Sequence, residues 1–431
     1  MNRRGWLLLG CYRVLALALT PVWVALLLVR LVQGKEDPRR LAERLGWPTR
    51  RRPAGSLVWF HCASVGELNS LLPVFRQLVA RATNEPARSD SLPVLLVTTV
   101  TCTSAVLAAR VLPAGVIHQY VPIDHWLAML LFRSYWRPCL GVLAEAELWP
   151  ELVRAMPHLL LINARMSERS YQRHRRQPWY AAWLLSAVEV CLAQSQADAE
   201  RFRRLGVRDA RALGSTKLDA EPLPVNAAHL ERLRQAFAGR PVLLLASSHP
   251  GEEQQWLAAW AAREGAIRPF GLLLAPRHPQ RAPGVRDQAA VQGFTVALWS
   301  ELVAGSAPPH PDVLVADVIG EMGAWISAAT VVVMGGSFHP MGQPHGGQNP
   351  LEPVALGRPV LCGPDMANFS DLIEPLLKAG CLQQHPDVAT TLVAALALLD
   401  QRSLDQRSLS AVPQLRGPSQ LVASLVRDRC R

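Results

Sequence analysis

A chain of 431 residues, 50% hydrophobic, exceeds one ordinary core and has apolar content for two of similar size. Its formal net charge of +11 calls for an anionic partner, whether nucleic acid, an acidic membrane surface or a phosphorylated substrate. Eight cysteines without Cys-x-x-Cys spacing speak against a disulfide framework and read as reduced, buried thiols of a cytosol-facing body.

The N-terminus comes first in the chain and differs in character. Residues 14–29 carry no charge, at the short end of what spans a bilayer, and Pro21 leaves open whether they cross it or lie in the interface. Arg13 breaks the apolar region that a signal peptide needs, so an anchor is the better reading. Residues 34–52 then bring Lys35, Arg39, Arg40, Arg44, Arg50, Arg51 and Arg52 against three acids, placing the body on the cytoplasmic side near anionic headgroups.

Beyond the anchor, short apolar runs alternate with helical patterns. Residues 57–60, 94–99, 141–144, 159–162 and 188–193 form one series of buried strands; 242–246, 271–275, 313–316, 331–334 and 360–362 form another. Two doubly wound α/β halves follow, with a proline-bearing linker at 219–226 and a surface loop at 84–91. Ligands of such sheets bind outside the carboxyl ends of the strands, so the chemistry belongs at strand ends.

Polar motifs fall there. The run at 57–60 leads into His61-Cys-Ala-Ser-Val-Gly-Glu67 and then an apolar helical face, which places Glu67 in a first helical turn, either as a general base or as a residue favoured by the helix dipole. Ala144-Glu-Ala-Glu-Leu-Trp-Pro150 puts Glu145 and Glu147 at the next strand end, and Asn163-Ala-Arg-Met-Ser167 adds Arg165 and a helix cap. Gly214-Ser-Thr-Lys217 offers a single cation before the linker. In the second half, Ser247-Ser248-His249-Pro-Gly-Glu252-Glu253 and Pro276-Arg277-His278-Pro279 end two strands with groups suited to a nucleotide phosphate and its sugar. Residues 330–353 are the most informative stretch. A β-branched run breaks into Gly335-Gly336-Ser337, whose turn would present bare N–H groups to an anion; Gly346-Gly347 repeats the device, and a helix opening at Asn349-Pro350 with Glu352 points its positive end the same way. Basic residues concentrate beside the anchor and no aromatic stacking platform is present, which excludes a nucleic-acid binder.

Taken in order, Ala63-Ser-Val-Gly-Glu67, Glu147-Leu-Trp-Pro150, Asn163-Ala-Arg-Met-Ser167, Gly214-Ser-Thr-Lys-Leu-Asp219, Ser248-His-Pro-Gly-Glu-Glu253, Pro276-Arg-His-Pro279 and Gly346-Gly-Gln-Asn-Pro-Leu-Glu352 resemble the 3-deoxy-D-manno-octulosonic acid (Kdo) transferase family, over residues 40–400. The resemblance implies a GT-B fold, two Rossmann-like domains facing a central cleft, with an N-terminal anchor at 1–34, an acceptor-binding domain at 35–222 and a CMP-sugar-binding domain at 223–431. It implies an inverting transfer of Kdo from CMP-Kdo to a tetraacylated disaccharide lipid A precursor at the inner membrane, in lipopolysaccharide synthesis. Glu67 would be the catalytic base. Ser248, His249, Arg277, His278, Gly335, Gly336, Ser337, Asn349 and Glu352 would bind the donor; Ser64, Gly66, Glu145, Glu147, Arg165 and Lys217 would line the acceptor site or the cleft, Lys217 and Glu145 near the donor carboxylate and acceptor. No cofactor or metal is implied, and the chain lacks the Asp-x-Asp pair that would bridge a divalent ion to a diphosphate. Two features depart from the family pattern: the segment 338–345 is long and proline-rich, and Thr216 stands where an apolar residue is usual. The alternatives are a transferase of the same build with another nucleotide-sugar, separable by donor competition, and a catalytically silent nucleotide-binding scaffold.

Overall fold

The computed structural model describes residues 3–84, 93–219, 221–262, 270–339, 342–400 and 417–430; apart from Asn84 the expected loop at 84–91 lies outside them, as do residues 340 and 341 of the segment 338–345. The chain forms two compact units, Met1–Ala220 with Gly417–Arg431, and Glu221–Arg416.

The first unit is built on a parallel sheet of β1 (Leu57–Cys62), β2 (Val94–Thr99), β3 (Ile117–Tyr120), β4 (Leu140–Ala144), β5 (Leu159–Ala164), β6 (Val188–Ala193) and β7 (Ala210–Ala212), ordered β3-β2-β1-β4-β5-β6-β7. Every residue of β1, β4 and β5 is buried, as strands covered by helices on both faces must be. The second unit repeats the plan with β8 (Val242–Ser248), β9 (Gly271–Pro276), β10 (Val296–Leu298), β11 (Val313–Val315), β12 (Val331–Met334), β13 (Val360–Cys362) and β14 (Leu382–Gln384), ordered β10-β11-β9-β8-β12-β13-β14. All ten expected strands are present. The four that the apolar pattern leaves out, β3, β7, β10 and β14, are the edges of the two sheets, where one neighbour and partial exposure relax the demand for an apolar run.

The chain does not divide in one cut. The last helix, Pro418–Arg429, belongs to the first unit, whereas a single boundary at 222 assigns it to the second half. Its Val422, Ala423 and Val426 complete the core around Leu68, Leu71 and Phe75 of the Val65–Asn84 helix. The Asp219 carboxylate accepts the N–H groups of Gly417 (2.7 Å) and Ser419 (2.6 Å) and so caps the helix where the chain returns.

At the N-terminus the apolar segment is two helices, α1 (Arg3–Ala18) and α2 (Thr20–Val32), bent by 58° at the break before Thr20-Pro21. Among the described residues no single helix is long and apolar enough to cross a membrane; the bent pair together meets that length and composition. Tyr12 donates to Asp124 (2.6 Å) and Arg13 grips Glu151 with two bonds (2.7 and 3.0 Å), tying α1 to the unit beneath. The opposite surface exposes Val14, Leu15, Leu17, Val22, Val24, Leu28 and Val29. Part of the basic run is structural: Arg44 is buried against Glu36 and the Val121 carbonyl, and Arg40 holds Glu43. Lys35, Arg39, Arg50 and Arg51 are exposed.

Candidate active site

In the first unit the polar groups gather where β1, β4 and β5 end. Ser64 precedes the Val65–Asn84 helix, and its Oγ accepts the Glu67 N–H (3.2 Å) and donates to Glu67 Oε1 (3.0 Å). Glu67 Oε2 accepts the Ala63 N–H (2.8 Å), so the carboxylate reaches back across the helix start to the residue before the Ser64 cap. Glu67 is 5% exposed. Burial is the main cause that pushes its pKa up to about 7, opposed by the Ala63 N–H and Ser64 hydroxyl and aided by the charges of Glu145 and Glu147. A carboxylate titrating there is suited to take a proton at neutral pH. Gly66 leaves open space beside it: a Cβ at that position would meet only Ser64 Oγ, at 3.8 Å.

Glu145 adopts φ +56° directly after β4, a conformation that costs an L residue about 1–3 kcal/mol, and its carboxylate lies 3.7 Å from Lys217 Nζ. Asn163, at φ +50°, is the extra residue of a bulge between β5 and β6. The bulge turns its amide sideways: Nδ2 donates to Thr216 Oγ1 (2.7 Å) and Ser70 Oγ (3.1 Å), and Oδ1 accepts the Thr216 N–H (2.9 Å). Thr216 Oγ1 in turn donates to the Ser70 carbonyl (2.5 Å). The departure noted at Thr216 thus has a local reason. Its hydroxyl fastens the turn Thr216–Asp219, with Lys217, to the helix that carries Glu67. Arg165 is exposed just beyond β5.

In the second unit, Ser247 (φ +55°) occupies the matching place, a bulge between β8 and β9. With Arg277, Gln348, Asn349 and Glu352 it lines a cavity of about 530 Å³, whose apolar walls include Trp325, Ile326 and Met334. That volume falls in the range of small-ligand sites. Asn349 Oδ1 accepts the Leu351 N–H (3.1 Å), and its Nδ2 donates to Glu352 (3.2 Å) at the start of the short Leu351–Ala355 helix. Burial raises the Glu352 pKa and Arg277 opposes it, so the two side chains feel each other across the cavity.

The glycine turn differs from its expected form. Its N–H groups are not bare: the carboxylate of Glu252 accepts Gly336 N–H (2.8 Å), Phe338 N–H (3.0 Å) and His249 N–H (2.8 Å), while Gly335 N–H goes to the Ala246 carbonyl. The anion in this nest is the protein's own. The second pair is engaged too, Gly346 N–H with Asp365 (2.6 Å) and Gly347 N–H with the Gly336 carbonyl (2.9 Å). Gly335 is required instead by close approach, since a Cβ there would lie 2.6 Å from the Ser247 carbonyl. Ser248 and Ser337 are fully buried and their hydroxyls donate inward, to Glu253 (2.7 Å) and the Met334 carbonyl (2.6 Å), which removes them from ligand contact. His249 stacks on His345 at 4.0 Å and meets Gln348 Nε2 at 3.0 Å; burial first, then the neighbouring His345, lowers its pKa to about 4, so the ring is neutral. His278 is exposed next to Arg277.

Sequence reasoning missed Thr216 and Asn163 as a hub and Glu252 as the filler of the nest. It also passed over Val318, Ile319, Gly320 and Met322, which line the cavity beyond β11; a glycine shortly after a strand end, here at φ +99°, was the available signal. Among the described residues no group of three or more His, Cys, Asp or Glu could hold a metal ion.

Two seven-stranded, doubly wound units in one chain, a nucleotide-sized cavity in one and a buried carboxylate at the strand ends of the other, are the GT-B architecture of sugar-nucleotide enzymes. The solved glycosyltransferase of kitacinnamycin shares this fold, with a TM-score of 0.51 at 17% identity over 88% of this chain and 100% of that one. Residues 39–220 match the family described as 3-deoxy-D-manno-octulosonic-acid transferase (kdotransferase). Curated 3-deoxy-D-manno-octulosonic acid transferases are similar over most of their length: that of Rickettsia bellii is 31% identical, covering 85% of both chains, and that of Bordetella pertussis 34%, covering 80% of both. The chain belongs to the 3-deoxy-D-manno-octulosonic acid transferase family and is a glycosyltransferase.

Proposed function

We propose that the chain transfers Kdo from CMP-Kdo to a hydroxyl of an acylated disaccharide lipid A precursor, with inversion, and that Glu67 is the base. The acceptor hydroxyl gives its proton to the Glu67 carboxylate as its oxygen attacks the anomeric carbon of Kdo, and the bond to CMP breaks with its electron pair on the phosphate. The observation that carries this reading is the buried Glu67 carboxylate, raised to about 7 at the start of a helix opening from β1. Lys217, beside Glu145, supplies a cation for the donor carboxylate on the same side. CMP is assigned to the 530 Å³ cavity of the second unit, with Arg277 facing the phosphate and Glu352 the ribose hydroxyls. With the glycine nest filled by Glu252, the phosphate relies on Arg277 and the side-chain amides of Gln348 and Asn349 rather than on the nest.

The exposed apolar face of α1 and α2, next to Lys35, Arg39, Arg50 and Arg51, supports attachment at the cytoplasmic face of the inner membrane. The deciding experiment is transfer from freshly made CMP-Kdo to the tetraacylated disaccharide, comparing the wild type with Glu67→Gln at equal CMP binding. Product from the wild type alone supports the reaction and the base together. A wild type that binds CMP yet transfers nothing sinks this donor and acceptor pair, and competition by UMP equal to that by CMP turns the assignment to another nucleotide-sugar.

A further inference from the structure

A second cavity, of about 390 Å³, lies within the first unit beneath the N-terminal helices. One wall is α2, through Trp23 and Leu27; the other is the body of the unit, through Val121, Ile123, Leu148 and Trp149. The lining is mostly apolar, and its charged members are hydrogen-bonded within the wall, Arg30 and Arg44 both on Glu36 (2.7 and 2.9 Å) and Asp124 with Tyr12. The two guanidiniums on one carboxylate leave one positive charge over and Asp124, held by a neutral hydroxyl, one negative, so the wall carries no net charge and an apolar ligand finds most of it.

Two continuities say what fills it. Leu148 and Trp149 directly follow Glu147, whose charge bears on Glu67, and the Trp149 ring lies 6.3 Å from that of His61, at the end of the strand leading to Ser64. On its other side the cavity wall is a helix whose outer surface exposes Val22, Val24 and Leu28. A ligand with a sugar hydroxyl at Glu67 and a tail in this cavity has to be an acylated sugar. We infer that the cavity under α2 receives one acyl chain of the acceptor and so draws the glycolipid out of the bilayer toward Glu67. This rests on the transfer reaction proposed above and adds to it a tail-binding site and a role for α2 beyond attachment. A chain lying along Trp23, Leu27 and Trp149 gains with each methylene removed from water, which makes the site a measure of chain length.

The test uses the full-length protein in lipid nanodiscs of phosphatidylethanolamine and phosphatidylglycerol. An acylated glucosamine disaccharide bearing a diazirine near the end of one chain is photolysed on the wild type, and adducts are mapped by mass spectrometry. Adducts on Trp23, Leu27, Ile123 or Trp149 are expected, reduced by excess unlabelled glycolipid. Adducts confined to outward residues such as Val22 and Leu28, or equal labelling of the cavity by a diazirine phospholipid, overturn the inference, because the occupant is then bulk lipid or nothing. The kinetic arm fills the cavity with Leu27→Trp. The ratio of kcat/KM for the long-chain acceptor to that for its deacylated form is expected to fall about tenfold, and an unchanged ratio in a protein that still binds CMP overturns the inference. Photolabelling needs no turnover, so a wild type that labels the cavity yet transfers no Kdo refutes the reaction and keeps the lipid site.

Discussion

Glu67 shows how one side chain serves as both cap and base. Its two oxygens hold the Ala63 N–H and the Ser64 hydroxyl, interactions that favour the ionised form, yet burial beside Glu145 and Glu147 outweighs them and lifts its pKa to about 7. The base must be deprotonated to act, so kcat/KM is expected to rise tenfold per pH unit below about 7 and level off above it; Glu67→Gln should lower kcat by about 10² to 10⁴ and abolish that limb. The sign for stability is the reverse. A carboxyl whose folded pKa is raised stabilises fully below its unfolded value of 4.5, and that contribution disappears as pH rises through about 7; thermal melts of the wild type should therefore fall relative to Glu67→Gln between pH 5 and 8. A pH-independent difference would mean that Glu67 does not titrate in that window. Glu252 is a second carboxylate with a hidden task. Glu252→Ala leaves three N–H groups without their acceptor, those of Gly336 and Phe338 in the glycine turn and that of His249 after β8, at a cost of roughly 1–3 kcal/mol for each buried donor that finds no other partner, and loosens the segment that carries Gln348 and Asn349. Calorimetry should show CMP binding weakened about tenfold while KM for the acceptor holds; unchanged CMP affinity would show that the nest does not position the nucleotide site.

At the scale of elements, the central strands were readable and the edges were not, for one physical reason. Runs such as Val-Leu-Leu-Val at 94–97 are apolar throughout because helices cover both faces of the sheet, whereas Ile117-His-Gln-Tyr120 at an edge can carry His118 and Gln119 and still pair. The capping position of Glu67 follows from local pattern, Ser64 three residues before it, and was legible. That the nest at Gly336 is filled by Glu252 was not, because the two lie 84 residues apart and only the fold of β8 against β12 brings them together. The return of the last helix was equally hidden: nothing in its own periodicity names Leu68 or Phe75 as its partner. Asp219 is the residue that fixes this return. Asp219→Ala removes the acceptor of two N–H groups at the helix start and should cost about 1–2 kcal/mol, seen as a lower urea midpoint for the first unit. An unchanged midpoint would show that the packing of Val422 and Val426 suffices without the cap.

Over the whole molecule, the two units differ in what they need from the rest of the chain. The first is closed by a helix that arrives only after the second has been completed in sequence, so its core around Phe75 lacks Val422, Ala423 and Val426 until the entire chain is present. The second, Glu221–Arg416, is continuous, and every residue lining its cavity, from Leu223 and Pro224 to Phe369, lies inside it. Its core around Trp256, Trp260, Phe270 and Phe294 is likewise drawn from its own residues. A fragment of residues 221–416 should therefore fold alone and bind CMP with an affinity within about threefold of the full chain by calorimetry. The complementary truncation, ending at residue 416, should keep CMP binding and lose Kdo transfer, because α1, α2 and Glu67 then sit on a unit missing part of its core. Loss of CMP binding in both would mean that first-unit residues contribute to the nucleotide site.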